Sequence, residues 1–177
     1  LGLFSLALAL GAGCSMEVPE QVLSEGIKAL EKEGNYIYAL VQFDKFLTKY
    51  PDHEYVPVAL ISKAKCHWAL REFDESLMAC DRVLAAYPKT NWEFEAIMLK
   101  GQILESQEKI DEAVAVYRSL QDKTAMFPQL YQAASMRLAE VYVRTQRWPE
   151  AVAAYGAMIE SASIGEQLKP TLYIFKG

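Results

Sequence analysis

The 177-residue sequence is poor in the residues that most often carry chemistry: it has two histidines and three cysteines. His53 follows Pro51 and Asp52, and His67 stands two residues after Lys65; neither has a partner at the spacing of a zinc site or a catalytic triad. No glycine-rich phosphate loop occurs, and the acidic residues are spread along the chain without a paired set. No catalytic residue, metal site or cofactor is therefore expected, and the chain does not read as an enzyme. Seven prolines and nine glycines are too few for a turn-rich sandwich or barrel. Charge of one sign is also lacking. The net charge is −5, with Lys and Arg scattered, so there is no footprint for nucleic acid. No apolar run reaches the ~20 residues of a membrane span. What is abundant is apolar material, 52% of residues, which is ample for a packed core.

The start of the sequence differs from the rest. Residues 1–13 are apolar apart from Ser5 and end in Gly11-Ala12-Gly13, directly before Cys14. An apolar stretch closing on small residues reads as the end of a signal peptide. Leu10-Gly11-Ala12-Gly13-Cys14 resembles a bacterial lipobox, departing from it at Gly11, where a large aliphatic residue is usual. The resemblance implies cleavage before Cys14 and a diacylglyceryl thioether on it, with residues 14–19 as a lipidated linker. Ser15, where inner-membrane lipoproteins carry Asp, implies the periplasmic face of the bacterial outer membrane. The alternatives are an ordinary signal peptide with a chance cysteine, or a core helix. With no initiating Met or basic segment, the sequence is expected to begin inside its signal peptide. Cys66 and Cys80 remain, either as a disulfide of an exported chain or as two small buried hydrophobes.

From residue 20 onward the chain repeats. Asn35-Tyr36-Ile37-Tyr38-Ala39, Glu72-Phe73-Asp74-Glu75-Ser76, Lys109-Ile110-Asp111-Glu112-Ala113 and Arg147-Trp148-Pro149-Glu150-Ala151 align, with the small residues 37, 37 and 38 positions apart. Four residues beyond each stands Phe43, Cys80, Tyr117 or Tyr155. Twelve before each stands Ile27, Ala64, Gly101 or Ala139. Antiparallel helices approach closely only where small side chains meet, and an aromatic one turn on fills the gap beside them. Ile27 breaks this rule, so the first unit is expected to cap the stack or splay. Asp74-Glu75, Asp111-Glu112 and Pro149-Glu150 near the start of the last three second helices, and Tyr50-Pro51 and Tyr87-Pro88 at the exit of the first two, mark the boundaries. Phe127-Pro128 comes later than the pattern, so the third linker is expected to be longer.

A small residue followed four later by an aromatic, repeating in helix pairs, resembles the tetratricopeptide repeat. The expected fold is all-α: a right-handed superhelix, or α-solenoid, of about four and a half helix pairs over residues 20–177. Its units fall at about 20–53, 57–90, 94–127 and 132–165, with a partial unit at 170–177, where Phe175-Lys176-Gly177 echoes Leu99-Lys100-Gly101. The long period, with Phe46-Leu47-Thr48-Lys49-Tyr50-Pro51 and Val83-Leu84-Ala85-Ala86-Tyr87-Pro88, resembles the family of the outer-membrane assembly lipoprotein BamD, and secondly the cell-division coordinators of CpoB type. The first resemblance implies a lipid-anchored scaffold that binds proteins or peptides of the barrel-assembly machinery. The alternatives are a ligand-binding or transport-accessory lipoprotein, closing round a small hydrophobic molecule, and a cell-wall or division coordinator of CpoB type.

In such a stack the first helices line a groove. Registering on the crossing residue gives Ile61, Lys65 and Trp68 in unit two, Met98, Gln102 and Glu105 in unit three, and Met136, Arg137, Glu140 and Arg144 in unit four. Mixed apolar and charged side chains suit a peptide. Trp68 is either the anchor of that groove or an aromatic packed between repeats. Met98 and Met136 read also as core, and Arg137, Glu140 and Arg144 as partners on a solvated face.

Overall fold

A computed structural model of the chain describes residues 17–123 and 128–160. Cys14, the expected signal peptide at 1–13 and the expected partial unit at 170–177 lie outside the described residues. Those that are described form eight α-helices: α1 (Pro19–Lys28), α2 (Tyr36–Lys49), α3 (Val56–Ala69), α4 (Phe73–Ala86), α5 (Asn91–Ser106), α6 (Ile110–Lys123), α7 (Pro128–Arg144) and α8 (Trp148–Glu160). Each packs on its neighbours in sequence, and α3 also packs on α5, so the first helices of the second and third units touch. One buried cluster runs from Val22 to Ile103 and a second from Leu104 to Met158, with Ile97, Leu120 and Ala134 forming a third between α5, α6 and α7.

The turn inside each unit has one design. Gly34, Arg71, Glu108 and Gln146 all adopt left-handed backbone, with φ of 61°, 62°, 61° and 58°. After α3, α5 and α7 the residue that follows donates its N–H five residues back: Glu72 to His67 O, Lys109 to Leu104 O and Arg147 to Tyr142 O, each at 2.9 Å. These hydrogen bonds close the helix ends in Schellman fashion and send the chain back antiparallel. His67 Nδ1, 2.7 Å from Glu72 Oε2, braces one of these turns.

The first unit differs by one residue. Asn35 N–H reaches Ala29 O, six residues back, at 2.9 Å. Between α1 and this turn, Ala29–Glu33 form a π-helical turn, which holds one residue more than an α-turn. That extra residue shifts the crossing from Ile27 to Gly26. A Cβ on Gly26 would lie 2.7 Å from the Phe43 ring. The first unit thus obeys the small-residue rule after all, at a spacing of thirteen from Ala39, and the expectation of a splayed unit at Ile27 is corrected.

At the crossings, volumes complement each other. Gly26 and Gly101 face the fully buried rings of Phe43 and Tyr117, whereas Ala64 belongs to the unit with the smaller Cys80. Ala139 belongs to the unit of Tyr155, which is left 7% exposed. Ala39, Ala113 and Ala151 are buried, and Ser76, at their position, donates its hydroxyl to Ala64 O at 2.7 Å, which satisfies a buried polar group across the helix pair. Cys66 and Cys80 are free thiols. Burial pushes them up to about 11 and about 12, so they are the small hydrophobes of the two alternatives.

The expected longer third linker is also corrected. α6 ends at Lys123 and α7 begins at Pro128, so Pro128 opens a helix rather than following an exit. The added residue of the fourth repeat goes into α7, which has 17 residues against 16 in α5 and 14 in α3.

Candidate functional site

The wall made by the first helices is where the expected groove residues fall. Ile61 does not belong to it. It is 2% exposed and part of the main core cluster, because α3 is covered by α2, α4 and α5 on that side. Met98 and Met136, at the same repeat position, are half-buried and pack on core clusters. Trp68 is half-buried too, and its Nε1–H donates to Ser106 Oγ at 2.9 Å, which ties α3 to α5. It is an aromatic packed between repeats rather than an open anchor.

The open face of the wall lies one and five residues after the crossing. It carries Lys65 and Ala69 on α3, Gln102 and Ser106 on α5, and Glu140 and Arg144 on α7. Charges join the helices across it. Lys65 Nζ donates to Glu95 Oε1 at 2.8 Å, from α3 to α5. Glu105 is the hub between α5 and α7: its side chain is 8% exposed and is paired with Arg144, with Arg137 at 3.9 Å, and with the Tyr117 hydroxyl. Arg137 also holds Glu140 at 2.9 Å. Burial and the Glu105 carboxylate keep the Tyr117 hydroxyl protonated well above its ordinary range. The sequence reading missed Glu95 and Ser106, although the unlike charges of Lys65 and Glu95, on the first helices of adjacent repeats, were the available signal.

The wall is therefore a strip of amide, ammonium, guanidinium and carboxylate groups spread over three units. It can hydrogen-bond an extended chain. An apolar cavity of about 610 Å³ lies elsewhere, with Phe94, Ile97, Leu120 and Leu130 among its lining residues. Among the described residues no group of three or more His, Cys, Asp or Glu could hold a metal ion, and no helix is long and apolar enough to cross a membrane.

Residues 98–165 match the family described as tetratricopeptide repeat. The fold matches a tetratricopeptide repeat protein from Parabacteroides merdae at a TM-score of 0.66, over 89% of this chain and 58% of that one, at 13% identity. The fold is a tetratricopeptide-repeat solenoid. A TPR-repeats protein from Bacteroides fragilis matches over 89% of this chain and 68% of that one, with a TM-score of 0.52 and 15% identity. These two likenesses show the fold alone. The chain spans 58% of the length of the Parabacteroides protein. A search of curated proteins finds no match to the sequence. Tetratricopeptide solenoids are in general protein-binding scaffolds, and the wall has the chemistry that such binding uses.

Proposed function

We propose that this chain is a lipid-anchored scaffold on the periplasmic face of a bacterial outer membrane, binding a protein segment along its first-helix wall in the assembly of outer-membrane proteins. The observation that carries the binding reading is the polar strip from Lys65 through Gln102 to Arg144, three units long. An extended peptide matches such a strip in length and in hydrogen-bonding groups, whereas a compact ligand would use one unit of it. The strip is rich in paired charges, so an incoming peptide competes for Glu105, Arg137 and Arg144 rather than filling an empty pocket. Weak, exchangeable binding of many sequences follows from that competition. The lipid anchor rests on Cys14 and the small residues before it, and the assembly role rests on the resemblance of the long repeat to the BamD family.

Photo-crosslinking from position 102, with the amber-encoded probe replacing Gln102, tests the reading in intact cells. Adducts with components of the barrel-assembly machinery support the assembly role. Adducts with other envelope proteins retain only the scaffold. No protein adduct at 102, against a matched probe at the exposed Asp122, overturns both.

A further inference from the structure

The tether between Cys14 and the folded repeats is short, and its far end is clamped. Glu17 lies three residues beyond Cys14. Its carboxylate is held by Lys45 and, at 3.1 Å, by Lys49, both on α2. Its backbone carbonyl accepts the Tyr50 hydroxyl at 2.7 Å. Three residues reach at most about 10 Å. A diacylglyceryl group on Cys14 would put that residue at the headgroup layer, and the interfacial layer on each side of the hydrocarbon is itself several ångströms deep. The clamp therefore cannot hang free in the periplasm.

We infer that the rim formed by Glu17, Val18, Lys45, Lys49, Tyr50 and Tyr55 is a membrane-docking surface, which holds the first unit of the solenoid against the lipid headgroups in a set orientation. This rests on the lipid-anchor reading of Cys14. The rim has the composition of an interfacial contact. Val18 and Tyr55 are exposed apolar side chains, at 49% and 38%. Tyr and Lys side chains place an apolar body at the lipid boundary and a polar tip in water. The rim is also stiff. Phe46, Tyr50, His53 and Tyr55 form a chain of ring contacts, 5.6 Å from Phe46 to Tyr50, 6.5 Å from Tyr50 to His53 and 5.2 Å from His53 to Tyr55. Tyr55 N–H donates to His53 Nδ1 at 3.2 Å, while His53 Nε2 faces Glu20 at 3.6 Å.

Charge does not drive the contact. Glu17 offsets one of the two lysines, and Glu20, Asp52 and Glu54 on neighbouring positions outnumber the other, so the edge is net negative. The occupant is a zwitterionic lipid surface, held by the tether and the apolar side chains, so the orientation on it should be insensitive to salt. Because helices alternate in direction, the turns at Arg71, Glu108 and Gln146 lie on the opposite edge from the rim, away from the bilayer.

The test uses the full lipidated chain in phosphatidylcholine vesicles with brominated acyl chains. Intact mass first establishes lipid on Cys14. An environment-sensitive fluorophore is then attached at Glu54→Cys beside the rim, or at Glu108→Cys on the opposite edge; the two native thiols are buried and will not react. Severalfold stronger quenching at 54 than at 108, unchanged by salt, is the expected result. In a second variant, twelve Gly and Ser residues inserted between Met16 and Glu17 should bring the two positions to equal quenching. Equal quenching at 54 and 108 with the native tether overturns the docking surface while leaving the anchor in place. Absence of lipid on Cys14 overturns the anchor and the docking together.

Discussion

Replacing Gly101 by alanine measures how much of this fold rests on one contact. In an open helix the change would stabilise by about 1 kcal/mol, because alanine is the better helix former. Here the new Cβ meets Cε1, Cζ and the hydroxyl of Tyr117, closer than real atoms pack. Tyr117 is fully buried, so its ring cannot swing into solvent. Overpacking of this kind costs about 1–3 kcal/mol. The displaced hydroxyl would also lose its bond to Glu105, and a hydrogen bond to a charged group contributes about 1.5–3 kcal/mol. Set against the helix-propensity gain, the expected net loss is about 2–4 kcal/mol. Urea unfolding followed by far-ultraviolet circular dichroism and by tryptophan fluorescence reads it. At a slope of about 2 kcal/mol per molar, the midpoint falls by about 1–2 M. In a Tyr117→Phe background the same change should cost less, because the hydroxyl bond is already gone. A Gly101→Ala variant as stable as the parent, or more stable, would refute the close-packing argument for the whole repeat.

Four further outcomes follow from the same geometry. Arg71→Gly should raise stability by up to about 1 kcal/mol in urea melts, since it relieves left-handed strain at a cost in unfolded-chain entropy. Deleting Glu31 should convert the π turn to an α turn and keep Gly26 against Phe43; loss of cooperative unfolding would show that the turn is not an insertion. The Lys45 and Lys49 ammonium groups hold the Glu17 carboxyl below its ordinary 4.5, so the clamp's contribution is present above that value and is lost as pH falls through the lower folded value. Amide protection of residues 17–22, relative to the intrinsic exchange rate at each pH, should accordingly fall below about pH 4.5 while α5 stays protected, and a uniform response would contradict the clamp. Cys66 and Cys80 should resist a thiol reagent at pH 8 until the chain unfolds, and prompt labelling of either would contradict their burial.

Much of the architecture was legible because it is local and periodic. Ala39, Ser76, Ala113 and Ala151 recur because each unit solves the same close-approach problem, and Tyr50-Pro51 and Tyr87-Pro88 interrupt the helices at the same place. The crossing in unit one was misplaced because a π turn changes the hydrogen-bond register without changing any residue type. Gly26 and Ile27 look equally plausible until Asn35 N–H is seen to reach six residues back. Pro128 was misread for a related reason: the same residue that ends one helix can open the next.

The wall was less legible. Helical spacing correctly marks which residues share a helix face, but not which face a neighbouring unit covers. Ile61 and Trp68 sit on the side of α3 that the next unit approaches, so one enters the core and the other bonds Ser106. Lys65 and Glu95 lie thirty residues apart, and only the stacking of α5 on α3 makes them partners. By itself the sequence determined the helix pairs, their period and their crossing chemistry, since these follow from side-chain size and hydrogen bonding within a few turns. Tertiary structure alone decided which of the wall's charges neutralise one another, because that depends on how far one unit rotates over the next, and that α2 clamps Glu17, because that depends on how α1 and α2 pack within the first unit.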